Sequence, residues 1–173
     1  MFKSRVRRFK LGRFLFDTGF YLPYYLFHVT VRNGGKTTTQ LFAIDAMTGK
    51  LDLYRFDAVP DAAELIEVET VQFGPTKLSE EQAFALLRER VQRSVYQQGF
   101  FQVADLQITG ERVMLCYIPY WVALYEQKQQ ANIEVIDAIR GRFEGAKVRE
   151  LILDWFSQEA SRRRATLQTT AKP

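Results

Sequence analysis

The feature that most constrains this chain is an internal echo. Tyr21-Leu22-Pro23-Tyr24-Tyr25 recurs as Tyr117-Ile118-Pro119-Tyr120-Trp121. Each copy then leads to a second echo, Ile44-Asp45-Ala46-Met47-Thr48-Gly49 and Ile136-Asp137-Ala138-Ile139-Arg140-Gly141. Matched blocks in one order point to a duplicated structural unit, here spanning about 14–57 and 101–142. The Tyr-to-Asp interval is 24 positions in the first copy and 20 in the second, a difference that a hairpin tip absorbs. Proline cannot donate to a sheet ladder, so Pro23 and Pro119 are expected on an edge, at a strand start or at a bulge. There each bends the strand and delivers the neighbouring aromatics onto a shared core.

Within each copy the pattern is that of a hairpin. Phe20 to Arg32 is rich in aromatic and β-branched residues and ends with Val29 and Val31 alternating against His28, Thr30 and Arg32. Asn33-Gly34-Gly35-Lys36 supplies the positive-φ residues of a tight turn, and the return strand runs from Thr37 to Ala46. Asp45 to Gly49 reads as a turn, because Asp bonds the N–H groups just ahead of it. A third strand is expected over Leu51, Leu53 and Tyr54-Arg55-Phe56, and the apolar-acidic alternation of Leu65 to Phe73 suggests another. In the second copy, Val103 to Ile108 and Arg112 to Glu126 read as strands joined at Thr109-Gly110-Glu111. Gln127-Lys128-Gln129-Gln130 replaces the glycine turn before Asn132 to Ala138 returns.

Two helices complete the reading. Ser79-Glu80-Glu81-Gln82 is a capping box, followed by Ala83, Leu87, Val91 and Val95 at four-residue spacing, so a helix is expected over 79–98. Val148, Leu151, Ile152 and Trp155 define a terminal helix over 146–163 that replaces the third strand of the first copy. The expected architecture is α+β: an antiparallel sheet from two related hairpin units in one pseudo-symmetric domain, 1–164, with a mobile tail over 165–173.

The Ile-Asp-Ala-Met-Thr-Gly block, reached from an aromatic strand through a hairpin, resembles the closing hairpin of PepSY-type modules. In the second copy the helix over 79–98 precedes the hairpin, as in that family, while Arg140 stands where the family has threonine. The resemblance implies the hairpin geometry over about half the chain. Family members are usually extracytoplasmic, and some restrain peptidases. This chain shows no export signal, so that role is not carried over.

Composition narrows the chemistry. With 47% hydrophobic residues the chain can bury a core, and one cysteine, Cys116, excludes an internal disulfide framework. No apolar run reaches the roughly 18 residues of a membrane-spanning helix, and a cytoplasmic protein is the expectation. His28 and Cys116 are the only residues for a Cys–His pair, but neither is duplicated in the other copy. Asp45 and Asp137 are duplicated, and their turns explain them. No phosphate-binding loop, nucleophile elbow or zinc spacing is present, so no catalytic residue, metal or cofactor is assigned.

The residues read as a non-catalytic binding or scaffold protein, with self-association covering any exposed apolar surface. Its candidate ligand-binding residues are Tyr21, Tyr24, Tyr25, Tyr117, Tyr120 and Trp121, which read first as core. The alternative is nucleic acid or an anionic surface held by the basic N-terminus: Lys3, Arg5, Arg7, Arg8, Lys10 and Arg13. A net charge of +4 is small for a dedicated nucleic-acid binder. An enzyme with an unrecognised site is the third reading.

Overall fold

The computed structural model describes residues 13–99 and 104–170. The fold is α+β. Its strands are β1 (Arg13–Asn33), β2 (Lys36–Asp45), β3 (Tyr54–Phe56), β4 (Gln107–Gln127), β5 (Gln130–Asp137) and β6 (Arg142–Phe143). They form an antiparallel sheet in the order β3-β2-β1-β4-β5-β6. Helix α1 (Glu80–Gly99) lies between β3 and β4 in the chain, and α2 (Ala146–Thr170) ends it. Among the described residues, no helix is long and apolar enough to cross a membrane. Two compact units are present: Tyr21–Ile118, and the start of β1 as far as Phe20 together with the chain from Pro119 onward.

In the unit Tyr21–Ile118 the first hairpin closes where expected. Asn33 pairs with Lys36, and Gly34 and Gly35 both hold positive φ, the requirement of a two-residue turn that matches strand twist. Helix α1 opens on the expected capping box: the Gln82 N–H donates to Ser79 Oγ, and the Ser79 N–H donates to Gln82 Oε1. Its Ala83, Leu87 and Val91 pack on Tyr25, Phe27, Val29, Phe42 and Ile44, which share one face of β1 and β2.

Both prolines depart from expectation. Each lies inside a long strand at the centre of the sheet, one residue beyond the last pair of an outer ladder, Tyr24 with Asp45 and Tyr120 with Asp137. The N–H of Ala46 donates to the Pro23 carbonyl, and that of Ala138 to Pro119. That bond makes Pro23 and Ala46 the next pair, whose reciprocal bond proline cannot supply. The N–H groups of Lys77 and Leu78 donate to the Ala46 carbonyl instead, at 2.9 and 3.0 Å.

Four further expectations are corrected. Leu65 to Phe73 is not a strand; only Phe73 bridges Tyr21, in parallel, and most of the segment is exposed. Thr109-Gly110-Glu111 is not a turn but the early part of the continuous β4. Gly110 is there because the Phe84 ring occupies the space a Cβ would take. In the other unit, β6 pairs with β5 before α2 begins, so the terminal helix follows a short third strand rather than replacing one. That helix continues through Thr170, beyond the expected end at 163. In this unit α2 packs on β5, burying Val148 and Ile152 with Ile133, Val135 and Val122, while Phe20 meets Trp155 edge-on at 4.8 Å.

The two hairpins differ at their tips. Lys128 and Gln129 hold φ of 50° and 65° without being glycine, a conformation that costs L-residues about 1–2 kcal/mol each. Lys128→Asn combined with Gln129→Gly is therefore expected to stabilise the protein by roughly 1–2 kcal/mol in urea unfolding. An unchanged midpoint would show that the tip carries no strain.

Candidate functional site

The two acids of the echoed segments are buried. Asp45 and Asp137 are fully enclosed, the only polar residues in that class among the described residues. Asp45 organises its turn completely. Oδ1 accepts from the Thr48 and Gly49 N–H groups and the Thr48 hydroxyl, and Oδ2 accepts from the Leu51 N–H at 2.9 Å. The Arg90 guanidinium of α1 donates to the Gly49 and Leu51 carbonyls of the same turn. A carboxylate with this many donors is a structural brace, and no oxygen is left for a substrate.

Asp137 is braced less fully. Oδ1 accepts from the Ile139 and Arg140 N–H groups, both at 2.9 Å. Oδ2 is buried without a hydrogen bond, and Arg140 Nε stands 3.9 Å away. Burial, and then the Asp137 charge, push the half-buried Glu144 carboxyl above its ordinary 4.5 against the pull of Arg142, Arg140 and a backbone N–H. The described residues hold no group of three or more acids, His or Cys placed to bind a metal ion.

The sole cysteine and histidine do not form a reactive pair. Burial pushes the Cys116 thiol up to about 11, away from thiolate, and its Sγ lies 3.8 Å from the Tyr24 carbonyl. His28 is exposed, pairing across the ladder with Leu41.

The candidate aromatics separate into two groups. Tyr24, Tyr25 and Tyr120 are buried; the Tyr25 hydroxyl donates to the Leu78 carbonyl, and Tyr24 meets Tyr54 edge-on at 6.2 Å. They are core residues. Tyr21 is half-buried, its backbone tied to Gln72 and Gly74. Tyr117 is 43% exposed and packs edge-on against Phe73. Trp121 is 60% exposed, although it occupies the position equivalent to the buried Tyr25.

Trp121 stands in a row. It pairs with Ile136, and Ile136 pairs with Phe143, so the three side chains share one face of β4, β5 and β6. Phe143 is half exposed. The opposite face carries the buried Val122 and Val135, and helix α2 packs on β5. Four residues along β4 from Trp121, Tyr125 is buried with Phe14 edge-on to it at 5.7 Å. The sequence signal for this row is Trp121 standing where the other echoed segment has Tyr25.

Of the basic candidates, Lys3, Arg5, Arg7, Arg8 and Lys10 lie outside the described residues. Arg13 is exposed and donates to Glu126 at 2.6 Å.

Two outcomes are expected from the acids. Asp45→Asn turns a donor toward the Leu51 N–H and should cost roughly 2–3 kcal/mol, against roughly 1 for Asp137→Asn, where the second oxygen accepts nothing. Equal costs in urea unfolding would contradict this division. For Glu144, a folded pKa above the unfolded one means the native state binds the proton more tightly, so stability falls as pH rises above 4.5. Glu144→Gln should therefore raise Tm at pH 7, with the gain vanishing below pH 4.5; a gain independent of pH would show that ionisation is not its source. Comparison of the chain with known protein families, with curated proteins and with solved structures finds no match.

Proposed function

We propose that this is a non-catalytic binding protein built from a duplicated hairpin unit, and that it self-associates through the sheet face centred on Trp121. The duplication is supported by the recurrence of the same local bonds: Ala46 to Pro23 and Ala138 to Pro119, then Gly49 to Asp45 and Gly141 to Asp137. The non-catalytic reading rests on the buried acids being used as turn braces and on the Cys116 thiol being held protonated.

The observation that carries the binding reading is the exposure of Trp121 in line with Ile136 and Phe143. A tryptophan in mid-strand has no local reason to be at the surface, since turn and cap chemistry do not use it. Covering it and its neighbours with a like surface removes contiguous apolar area from water at about 25 cal/mol per Å². A second copy offers the same row, as a two-fold contact requires.

The test uses sedimentation together with tryptophan emission. In Trp155→Phe, Trp121 is the sole tryptophan. Its emission should shift to the blue as concentration rises, alongside growth in sedimentation coefficient. Trp121→Glu should remain monomeric over the same range. A wild-type chain that stays monomeric with unchanged Trp121 emission would refute self-association through this face.

A further inference from the structure

A second surface lies on residues 64–72 of the unit Tyr21–Ile118. One end is fixed by a turn in which Asp61 accepts from the Ala63 N–H and Glu64 accepts from the Asp61 N–H. The other is fixed by the bonds between Tyr21, Gln72 and Gly74. Between these anchors the chain is neither helix nor strand, and Ile66 and Val71 are 83% and 73% exposed. Among the described residues, the backbone N–H and C=O groups from Ile66 to Val71 have no hydrogen-bond partner. Apolar side chains beside unpaired backbone are the properties of an edge to which another strand can add.

The charge on this segment selects the occupant. From Asp57 to Thr76 there are five acids, Asp57, Asp61, Glu64, Glu67 and Glu69, and no Lys or Arg. Nucleic acid and anionic lipid are repelled by it. A second copy pairing through the same segment would set Glu67 and Glu69 against their own kind. In sequence Ile66 and Val68 alternate with Glu67 and Glu69, so a complementary strand alternates apolar residues with cations. We propose that residues 64–72 receive an extended polypeptide segment in which Lys or Arg alternates with apolar residues. Backbone bonds hold it, its apolar residues cover Ile66 and Val68, and its cations meet Glu67 and Glu69.

The probe is a fluorescein-labelled nine-residue peptide, Lys-Val-Arg-Val-Lys-Phe-Arg-Val-Lys, titrated with the full chain and followed by polarisation. Saturable binding is expected, with Ile66 to Val71 amides becoming protected from hydrogen exchange. Replacing the peptide's cations by Glu should abolish binding. Replacing its apolar residues by Ser should weaken binding roughly tenfold or more, because polycation attraction alone lacks the burial. In the protein, Glu67→Lys with Glu69→Lys should weaken binding about tenfold, the scale of two exposed ion pairs. Ile66→Ser should weaken it similarly. These side chains are exposed, so equal thermal melts are expected and serve to separate lost binding from lost folding. Absence of saturable binding, equal binding by the Ser peptide, or equal affinity of the Glu67→Lys, Glu69→Lys protein would each overturn the proposal.

Discussion

Much of the unit Tyr21–Ile118 depends on a hydrogen bond that Pro23 cannot make. In an antiparallel ladder Pro23 and Ala46 would exchange two bonds, and only the one donated by Ala46 exists. The Ala46 carbonyl is therefore open to the N–H groups of Lys77 and Leu78, which draws in the chain just before α1. The Leu78 carbonyl in turn accepts from the Tyr25 hydroxyl, and α1 then covers Tyr25, Phe27 and Ile44. One residue earlier, Asp45 gathers the donors that turn β2 toward β3. A proline in a central strand is tolerated because its missing donor faces a ladder that has already ended.

The features legible in sequence are those whose cause is local. Asn33-Gly34-Gly35-Lys36 carries its own φ requirement, Ser79 and Gln82 bond across one helical turn, and Asp45 bonds residues within six positions. The misread features have causes elsewhere in the chain. Gly110 looks like a turn residue, but the Phe84 ring, distant in sequence, is what excludes a side chain there. The alternation from Leu65 to Phe73 has the period of a strand, yet period alone does not provide a neighbour to pair with. The prolines stand neither at an edge nor at a strand start, and the donor each lacks falls one residue beyond the last pair of an outer ladder. Of the row Trp121, Ile136 and Phe143, the six aromatics singled out in sequence include only Trp121, and Tyr24, Tyr25 and Tyr120 are core.

That division follows from which face each helix covers. In the unit Tyr21–Ile118, α1 packs on the face that carries Tyr25 and Phe27. In the unit that holds β5 and β6, α2 packs on β5 with the face that carries Val122 and Val135, and the face of Trp121, Ile136 and Phe143 lacks that cover. Equivalent residues in the echoed sequence thus meet opposite environments. Tyr25 and Trp121 fit this: the buried tyrosine has a carbonyl for its hydroxyl, whereas Trp121 leaves apolar ring area at the surface.

The acids obey the same logic of shared geometry and unequal completion. Both carboxylates are fully buried and both brace a turn that ends in a positive-φ glycine. Asp45 has donors on each oxygen, and Arg90 ties its turn to α1; Asp137 has donors on one oxygen and lies near Glu144, whose carboxyl burial and then the Asp137 charge push above its ordinary 4.5. A buried carboxylate oxygen without a donor weakens its brace, because desolvation is not offset by a bond. The turn at Asp137 is therefore expected to be the weaker of the two. It leads directly into Phe143, so the row that carries Trp121 borders the less firmly braced turn.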